Sequence, residues 1–395
     1  MAKLIDITGK AISGEWGTDD LVGNGVPVLR TTNFTNIGVV NFNNIVTRQI
    51  VKKSISEKLL RYGDIIIEKS GGSDKQPVGR VVFFEGEDNK YLFNNFTGLL
   101  RVRDFCKWNP KYIFYSLFAN YAKGGTIPFE NRTTGLHNLQ TDSYVNSVMI
   151  VERKIEEQTG IVTILDKVNQ LINYEKKQLE DLDILVKSRF IEMFGESNYP
   201  LVKACDVCDF ITKGTTPNTK EIYENYTDER IPFLKVYNLS NTGKLLFKNK
   251  TQYIDNSVHN GELSRSIVFP NDVLMNIVGP PLGKFAIVDD SFPEWNVNQA
   301  IAIFRAKREI LPLYLLYSLM QDDILSPFLQ KAVGVRQLNI SLEQCRELQF
   351  RLPPLNLQHN FSVFAQQVDK SKLAIQQSLD ELEILKKSLM QQYFG

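Results

Sequence analysis

Residues 166–195 are answered 200 positions later by residues 366–395, and the two stretches agree without a gap at nine of their 30 positions. The matches include Val168 with Val368, Leu179 with Leu379, Leu182 with Leu382, and Phe194-Gly195 with Phe394-Gly395. Stacked repeat architectures use units of roughly 20–50 residues, so a period of this length marks a duplicated domain. The echo continues upstream once small gaps are allowed. Val26 to Asn33 reappears as Ile231 to Asn238, each followed five residues on by a glycine, Gly38 or Gly243. Gly63 to Ile67 reappears as Asn271 to Met275, and Gly79-Arg80 as Gly283-Lys284. Such a chain folds as two copies of one module, and a pseudo-dimer suits a target with two half-sites.

At 395 residues, 43% hydrophobic and 23% charged, the chain can bury two or three sizeable cores. No apolar run approaches the roughly 18–20 residues that cross a bilayer, and the N-terminus has no signal-peptide pattern, which predicts a cytoplasmic protein without membrane contact. Four cysteines make no disulfide scaffold. Cys205 and Cys208 have the spacing of a zinc or redox pair, but no second pair follows, so both are expected as small buried side chains and no metal is expected. The net charge of +1 argues against a uniformly cationic surface. A nucleic-acid ligand would need positive charge gathered on one face or supplied by a partner.

Residues 1–150 are rich in β-branched and aromatic residues broken by turn signals, with strand-like runs at 64–68 and 78–84 and a proline-opened helix at Pro110 to Asn120. Residues 196–352 repeat this order, with Ile310 to Gln321 in the place of that helix. From about residue 156 the period changes. Ile161, Leu165, Val168, Ile172, Leu179, Leu182 and Val186 step by four and three, skipping Glu175; Phe361, Phe364, Val368, Ile375, Leu379, Leu382, Leu385 and Leu389 do much the same. Seams of this kind lie along helices with helical partners. The predicted fold is α+β: mixed α/β domains at 1–150 and 196–352, each followed by a long helix, 151–195 and 353–395, with the helices paired as an antiparallel coiled coil. Helices of about 35 residues would be roughly 50 Å long and would hold the two domains at a fixed separation.

The stretch Arg351-Leu352-Pro353-Pro354-Leu355-Asn356-Leu357-Gln358 resembles the boundary element of the DNA-specificity subunits of type I restriction-modification systems. Gly334 to Ile340 resembles the segment before that element, with Gly135 to Gln140 as its counterpart in the first half. The resemblance covers the whole chain. It implies a subunit that does no chemistry itself: each domain is a target-recognition domain reading half of a split site in double-stranded DNA, and the helices are a ruler between the halves. It also implies docking of two modification subunits, which carry S-adenosylmethionine and methylate adenine, and of restriction/translocase subunits, with no cofactor bound by this chain. One departure is that Val151-Glu152-Arg153-Lys154 stands where the second half has Leu352-Pro353-Pro354-Leu355.

The residues themselves favour a reader over an enzyme. The Asn/Asp-Pro-Pro-aromatic loop of amine methylation is missing; the nearest strings are Asn109-Pro110-Lys111-Tyr112 and Gly279-Pro280-Pro281-Leu282. Gly279 to Lys284 is one residue short of a phosphate-binding loop, and His137, His259 and His359 are scattered. His137 is expected at solvent or DNA, the other two at the surface. A duplicated helical adaptor without DNA readout is the alternative, separable by salt-sensitive affinity for duplex DNA.

Base reading needs forked or amide side chains on short rigid turns. Arg30, Thr31, Thr32 and Asn33 meet that description, as do Lys235, Tyr237 and Asn238 in the second half. Lys69, Ser70 and Gly71, with Asn276 opposite them in the repeat, end strand-like runs where backbone can approach phosphate, and Arg80 and Lys284 follow as candidate clamps. A third group is Arg132, His137, Asn138 and Gln140 around Leu139, with Lys331, Arg336, Gln337 and Asn339 around Leu338. For partner subunits the candidates are Tyr174, Ile184, Phe194, Ile384 and Phe394 off the helical seam, with Pro353 and Pro354.

Overall fold

The computed structural model describes residues 1–50, 55–133, 136–195, 198–279, 282–330 and 339–395. The chain divides into two compact units, Met1–Glu175 with Ser378–Gly395, and Lys176–Gln377. Each unit therefore combines one sheet-rich domain with the start of the long helix that follows it and the end of the other long helix.

The duplication is one of topology. In the first unit an antiparallel sheet runs in the order Ile12–Ser13, Thr97–Leu100, Ile65–Glu68, Val81–Phe83. The second unit has the same order in Cys208–Lys213, Ile301–Ala306, Val273–Asn276, Phe285–Ile287. A second sheet in each unit contains a parallel pair, with Val28 opposite Leu92 in one and Phe233 opposite Asn296 in the other. The first and last strands of each domain also pair, Ala2 with Ile150 and Leu201 with Arg351. Chain entry and exit thus meet where the long helix begins.

Against the first sheet packs a helix opened by proline, whose missing N–H costs nothing in the first turn. In the first unit it spans Pro110–Ala122, capped by Asn109 Oδ1, which accepts from the Lys111 and Tyr112 N–H groups at 2.9 and 3.3 Å. Its counterpart is Pro312–Leu319, shorter at both ends than the sequence suggested; its start is set by Leu311, which is extended before the proline. Tyr112 and Tyr314 are buried on these helices, and their hydroxyls donate to the carbonyls of Val151 and Arg351 at 3.0 and 2.7 Å.

The long helices are Ile155–Phe194 and Leu355–Phe394, 40 residues each, or roughly 60 Å at 1.5 Å per residue. Within each unit their segments run antiparallel. In the second unit Phe190 meets Phe361 at 5.1 Å between ring centroids, and Lys372 Nζ meets Asp183 at 2.5 Å. In the first, Glu175 accepts from Ser378 Oγ at 3.1 Å, so the polar break in the seam is satisfied by a polar partner. Ile161, Leu165, Val168, Ile172 and Val186 are buried, as are Phe361, Val368 and Leu379. Leu385 departs from the expected seam: it is 45% exposed, because beyond Leu382 the helix turns Leu389, Met390 and Phe394 onto the first domain's core.

Two further expectations are corrected. His259 is fully buried, between Glu294 and Asn296 at 3.2 Å each, because its imidazole closes a polar network inside the domain. His359, by contrast, is exposed. Of the expected buried pair, Cys208 is buried on a strand but Cys205 is exposed on the short helix before it. No described helix is long and apolar enough to cross a membrane.

Candidate nucleic-acid interface

The strands Val26–Leu29 and Arg230–Leu234 each run into one 3-10 turn, Thr31–Asn33 and Val236–Asn238. Asn33 is buried: its Oδ1 accepts from Arg30 N–H at 3.0 Å, and its Nδ2 donates to the carbonyls of Asn41 and Asn43 at 3.0 and 3.2 Å. Asn238 repeats this, accepting from Lys235 N–H at 2.9 Å and donating to Lys250 O at 3.0 Å. Both asparagines are therefore removed from the set of base readers, since their amides are consumed in holding the turn. The turns instead present their flanking residues. Thr32 is exposed and Tyr237 is 37% exposed, while Thr31 is half-buried with its carbonyl accepting from Arg80 at 3.3 Å.

Arg30 and Lys235 occupy the same place in the two turns and have no carboxylate partner among the described residues. Arg30 donates to Asn44 O at 3.3 Å, and its Nε is buried without a hydrogen-bond partner. Burial holds the Lys235 ammonium below the usual lysine value, and the charge of Lys250 lowers it further. Lys250 Nζ in turn lies 5.0 Å from the centroid of the Tyr237 ring. Two like charges side by side without an anion are the electrostatic setting for an anionic ligand.

The proposed clamps behave differently. Arg80 Nε and Nη2 donate to the two oxygens of buried Glu68 at 2.9 and 2.8 Å, which raises the guanidinium pKa, and Nη1 reaches Phe34 O at 3.4 Å. Arg80 is thereby spent on an internal carboxylate and is not free to hold a phosphate. In the second unit Asn276 takes the place of Glu68; it is fully buried, and its Oδ1 accepts from Lys284 N–H at 2.7 Å, so it too is structural. Glu68 N–H bonds Arg80 O at 2.8 Å and Asn276 N–H bonds Lys284 O at 2.9 Å, which fixes the equivalence. The Lys284 side chain has no hydrogen bond or ion pair to a described residue. Lys69 donates to Ser13 Oγ at 2.9 Å and is held below its usual value by burial. Ser70 N–H is bound by Phe96 O at 3.2 Å, and Gly71 has φ 119°, a conformation that favours glycine.

The third group lies on a three-stranded sheet of Ser70–Gly72, Glu130–Thr133 and Leu136–Leu139. Leu139 is the buried anchor, with its N–H bound by Lys69 O at 2.8 Å. His137 Nδ1 lies 2.7 Å from buried Glu130, and Arg132, 63% exposed at its side chain, lies 3.3 Å from Asp74. Gln140 donates to Asn131 Oδ1 at 2.7 Å, and Asn138 is half-buried. In the second unit Ile340 N–H is bound by Ile277 O at 2.9 Å, so the anchor equivalent to Leu139 is Ile340, and Asn339 matches Asn138. Lys331, Arg336, Gln337 and Leu338 lie outside the described residues.

On the helices, Tyr174, Ile184 and Ile384 are 60%, 58% and 69% exposed. Phe194 is not available to a partner: it is buried against Tyr314, 5.0 Å between centroids. Phe394 is likewise engaged, packing on Tyr112 at 5.3 Å. Pro353 is buried and Pro354 exposed. The Pro353 carbonyl accepts from Gln358 Nε2 at 2.8 Å, and the Arg153 carbonyl accepts from Gln158 Nε2 at 2.9 Å. The missing proline element in the first half therefore does not cost this hydrogen bond.

Sequence reasoning passed over both these glutamines and a second pair of forks. Arg101 binds Asp64 at 2.7 and 2.6 Å and Arg305 binds Asp272 at 2.9 and 2.7 Å, each tying one strand of the first sheet to the turn beside it. The signal was present, since each arginine follows an apolar strand run and each aspartate precedes one.

The chain is thus two copies of one α+β domain, each followed by a 40-residue helix and each presenting from the same turn a cation with no carboxylate partner among the described residues. Residues 196–384 match the type I restriction modification DNA specificity domain. The second domain and most of the long helix after it therefore carry the sequence pattern of that DNA-specificity domain. The fold is similar to that of the type I restriction-modification system S subunit from M. genitalium, with 13% identity and a TM-score of 0.56 over 100% of this chain and 95% of that one. It is also similar to a chain from a structure on complex assembly and conformational transition of the type I R-M system, at 14% identity and a TM-score of 0.58, covering 100% and 96%.

Proposed function

We propose that this chain reads a two-part site in double-stranded DNA, one part with each domain, and directs modification subunits to it without doing chemistry itself. The observation that carries the reading is the repeated turn: Arg30 and Lys235 stand at equivalent positions, each fixed by a buried asparagine and each without a carboxylate partner among the described residues. Lys284, Thr32 and Tyr237 extend the polar surface toward a duplex, where phosphate contacts position and base contacts specify. The exposed apolar side chains Tyr174, Ile184 and Ile384 are surfaces on which two modification subunits would dock. S-adenosylmethionine would be carried by those subunits, and restriction/translocase subunits would join the same assembly.

The test is adenine-methylation mapping in cells carrying the chain with a cognate modification subunit, against cells lacking the chain. A two-part motif that vanishes with the chain is the expected result. Unchanged methylation, with the complex assembled and the methylase active, would replace this reading with that of a helical adaptor.

A further inference from the structure

Two side chains 40 positions apart form a composite amide in the first unit: Gln76 Nε2 donates to Asn36 Oδ1 at 2.9 Å. Asn36 is exposed and Gln76 half-buried, and both border a small concavity of about 90 Å³ with Arg80, Phe118 and Tyr121. Each is held on a short rigid turn. Around Asn36, Thr35 N–H bonds Val39 O at 3.1 Å, Gly38 N–H bonds Thr35 O at 3.2 Å, and Gly38 has φ 82°. Around Gln76, its N–H and carbonyl both bond Ser73, at 3.0 and 2.8 Å.

The mutual hydrogen bond leaves Gln76 Oε1 as a free acceptor and Asn36 Nδ2 as a free donor, neither with a partner among the described residues. Turning both amides over exchanges the roles and leaves the same set, one donor and one acceptor. In the major groove, adenine presents an acceptor, N7, beside a donor, the N6 amine. Guanine offers two acceptors there, cytosine a donor without an acceptor, and thymine an acceptor beside a methyl group. We propose that Asn36 and Gln76 together read one adenine in the half-site bound by the first domain, Asn36 Nδ2 donating to N7 and Gln76 Oε1 accepting from N6.

The proposal rests on the DNA-reading function above and adds the residues and the base. It is confined to one half. Asn241 stands where Asn36 stands, two residues before Gly243, but the stretch from Asn276 to Lys284 is shorter in sequence than its counterpart from Glu68 to Arg80, and no described amide pairs with Asn241. Among the described residues the amide pair is a feature of the first domain alone.

Methylation mapping with Asn36→Ala, Gln76→Ala and Gln76→Glu chains tests this. Both alanine variants should lose discrimination at a single adenine of one half-site, from about tenfold or more to about onefold, and leave the other half-site unchanged. Gln76→Glu offers acceptors only, so preference at that position should move to cytosine, a gain that misfolding cannot imitate. A wild-type motif left unaltered by all three variants overturns the amide assignment alone. Equal loss of both half-sites by well-folded variants also overturns it. No motif with the wild-type chain overturns the assignment and the DNA-reading function together.

Discussion

The guanidinium of Arg80 closes a two-bond fork on Glu68, a carboxylate whose side chain is only 2% exposed. A residue that looks like a phosphate clamp in sequence is here the counter-charge of a buried acid. Removing one member of such a pair strands the other, at a cost of about 3–5 kcal/mol. Arg80→Ala should therefore lower the unfolding free energy by that order, read as a lower denaturant midpoint. The double change Glu68→Asn with Arg80→Lys copies the arrangement of Asn276 and Lys284 and should recover most of the loss. An Arg80→Ala chain that unfolds at the wild-type midpoint would refute this account.

Asn33 and Asn238 are predicted to act on stability and not directly on sequence preference. Replacing either with alanine leaves buried backbone groups of the turn unpaired, at about 1–3 kcal/mol. Chemical unfolding should register that loss, whereas the methylated motif should keep its bases wherever the variant remains folded. A changed base at one motif position in a fully folded Asn33→Ala chain would restore the asparagine to the set of readers.

Arg30 and Lys235 should behave as phosphate contacts. Each alanine variant is expected to weaken binding evenly across duplex sequences and to reduce the magnitude of the slope of log affinity against log salt by about 1. Fluorescence anisotropy at several salt concentrations measures both quantities. A loss confined to one target sequence, with the slope intact, would assign the residue to base reading.

The four cysteines divide by burial. Burial pushes the Cys208 and Cys345 thiols up to about 12, whereas Cys106 and Cys205 are exposed. The thiolate is the reactive form, so at pH 8 a thiol of pKa about 12 is ionised only to about one part in ten thousand. Brief alkylation at that pH should mark Cys106 and Cys205 by mass spectrometry and spare the other pair until denaturant is added. Early labelling of Cys345 would mean that the helix Leu342–Glu347 opens in the native state.

The duplication and the helices were legible because each leaves a local trace. Leu165 and Val168 sit on a helical period, and an identity such as Leu182 with Leu382 needs no geometry to find. Sheet order was not legible, because the parallel contact of Val28 with Leu92 joins segments far apart in the chain and nothing local marks it. The candidate site failed for a related reason. Amide and guanidinium groups are equally suited to a base, a phosphate or a protein carbonyl. Only the fold shows that Asn33 turns inward on Asn41 and Asn43 while Asn36, three residues later, remains exposed.

Gln158 and Gln358 give the sharpest test of the duplicated design. Gln158 Oε1 accepts from Asn109 N–H, and its Nε2 donates to Lys107 O and Arg153 O, all at 2.9 Å. Gln358 accepts from Leu311 N–H at 2.8 Å and donates to Glu309 O at 3.1 Å and Pro353 O at 2.8 Å. Each glutamine ties the chain entering a long helix to the residue before the proline of its domain helix, and each is wholly buried. Leucine at either position keeps the bulk but leaves three backbone groups without partners, a loss on the order of 3 kcal/mol. The loss should be local. Gln158→Leu should speed hydrogen exchange at residues 110–122, and Gln358→Leu at residues 312–319. Wild-type protection of 110–122 in the Gln158→Leu chain would show that the domain helix is held by its apolar face alone.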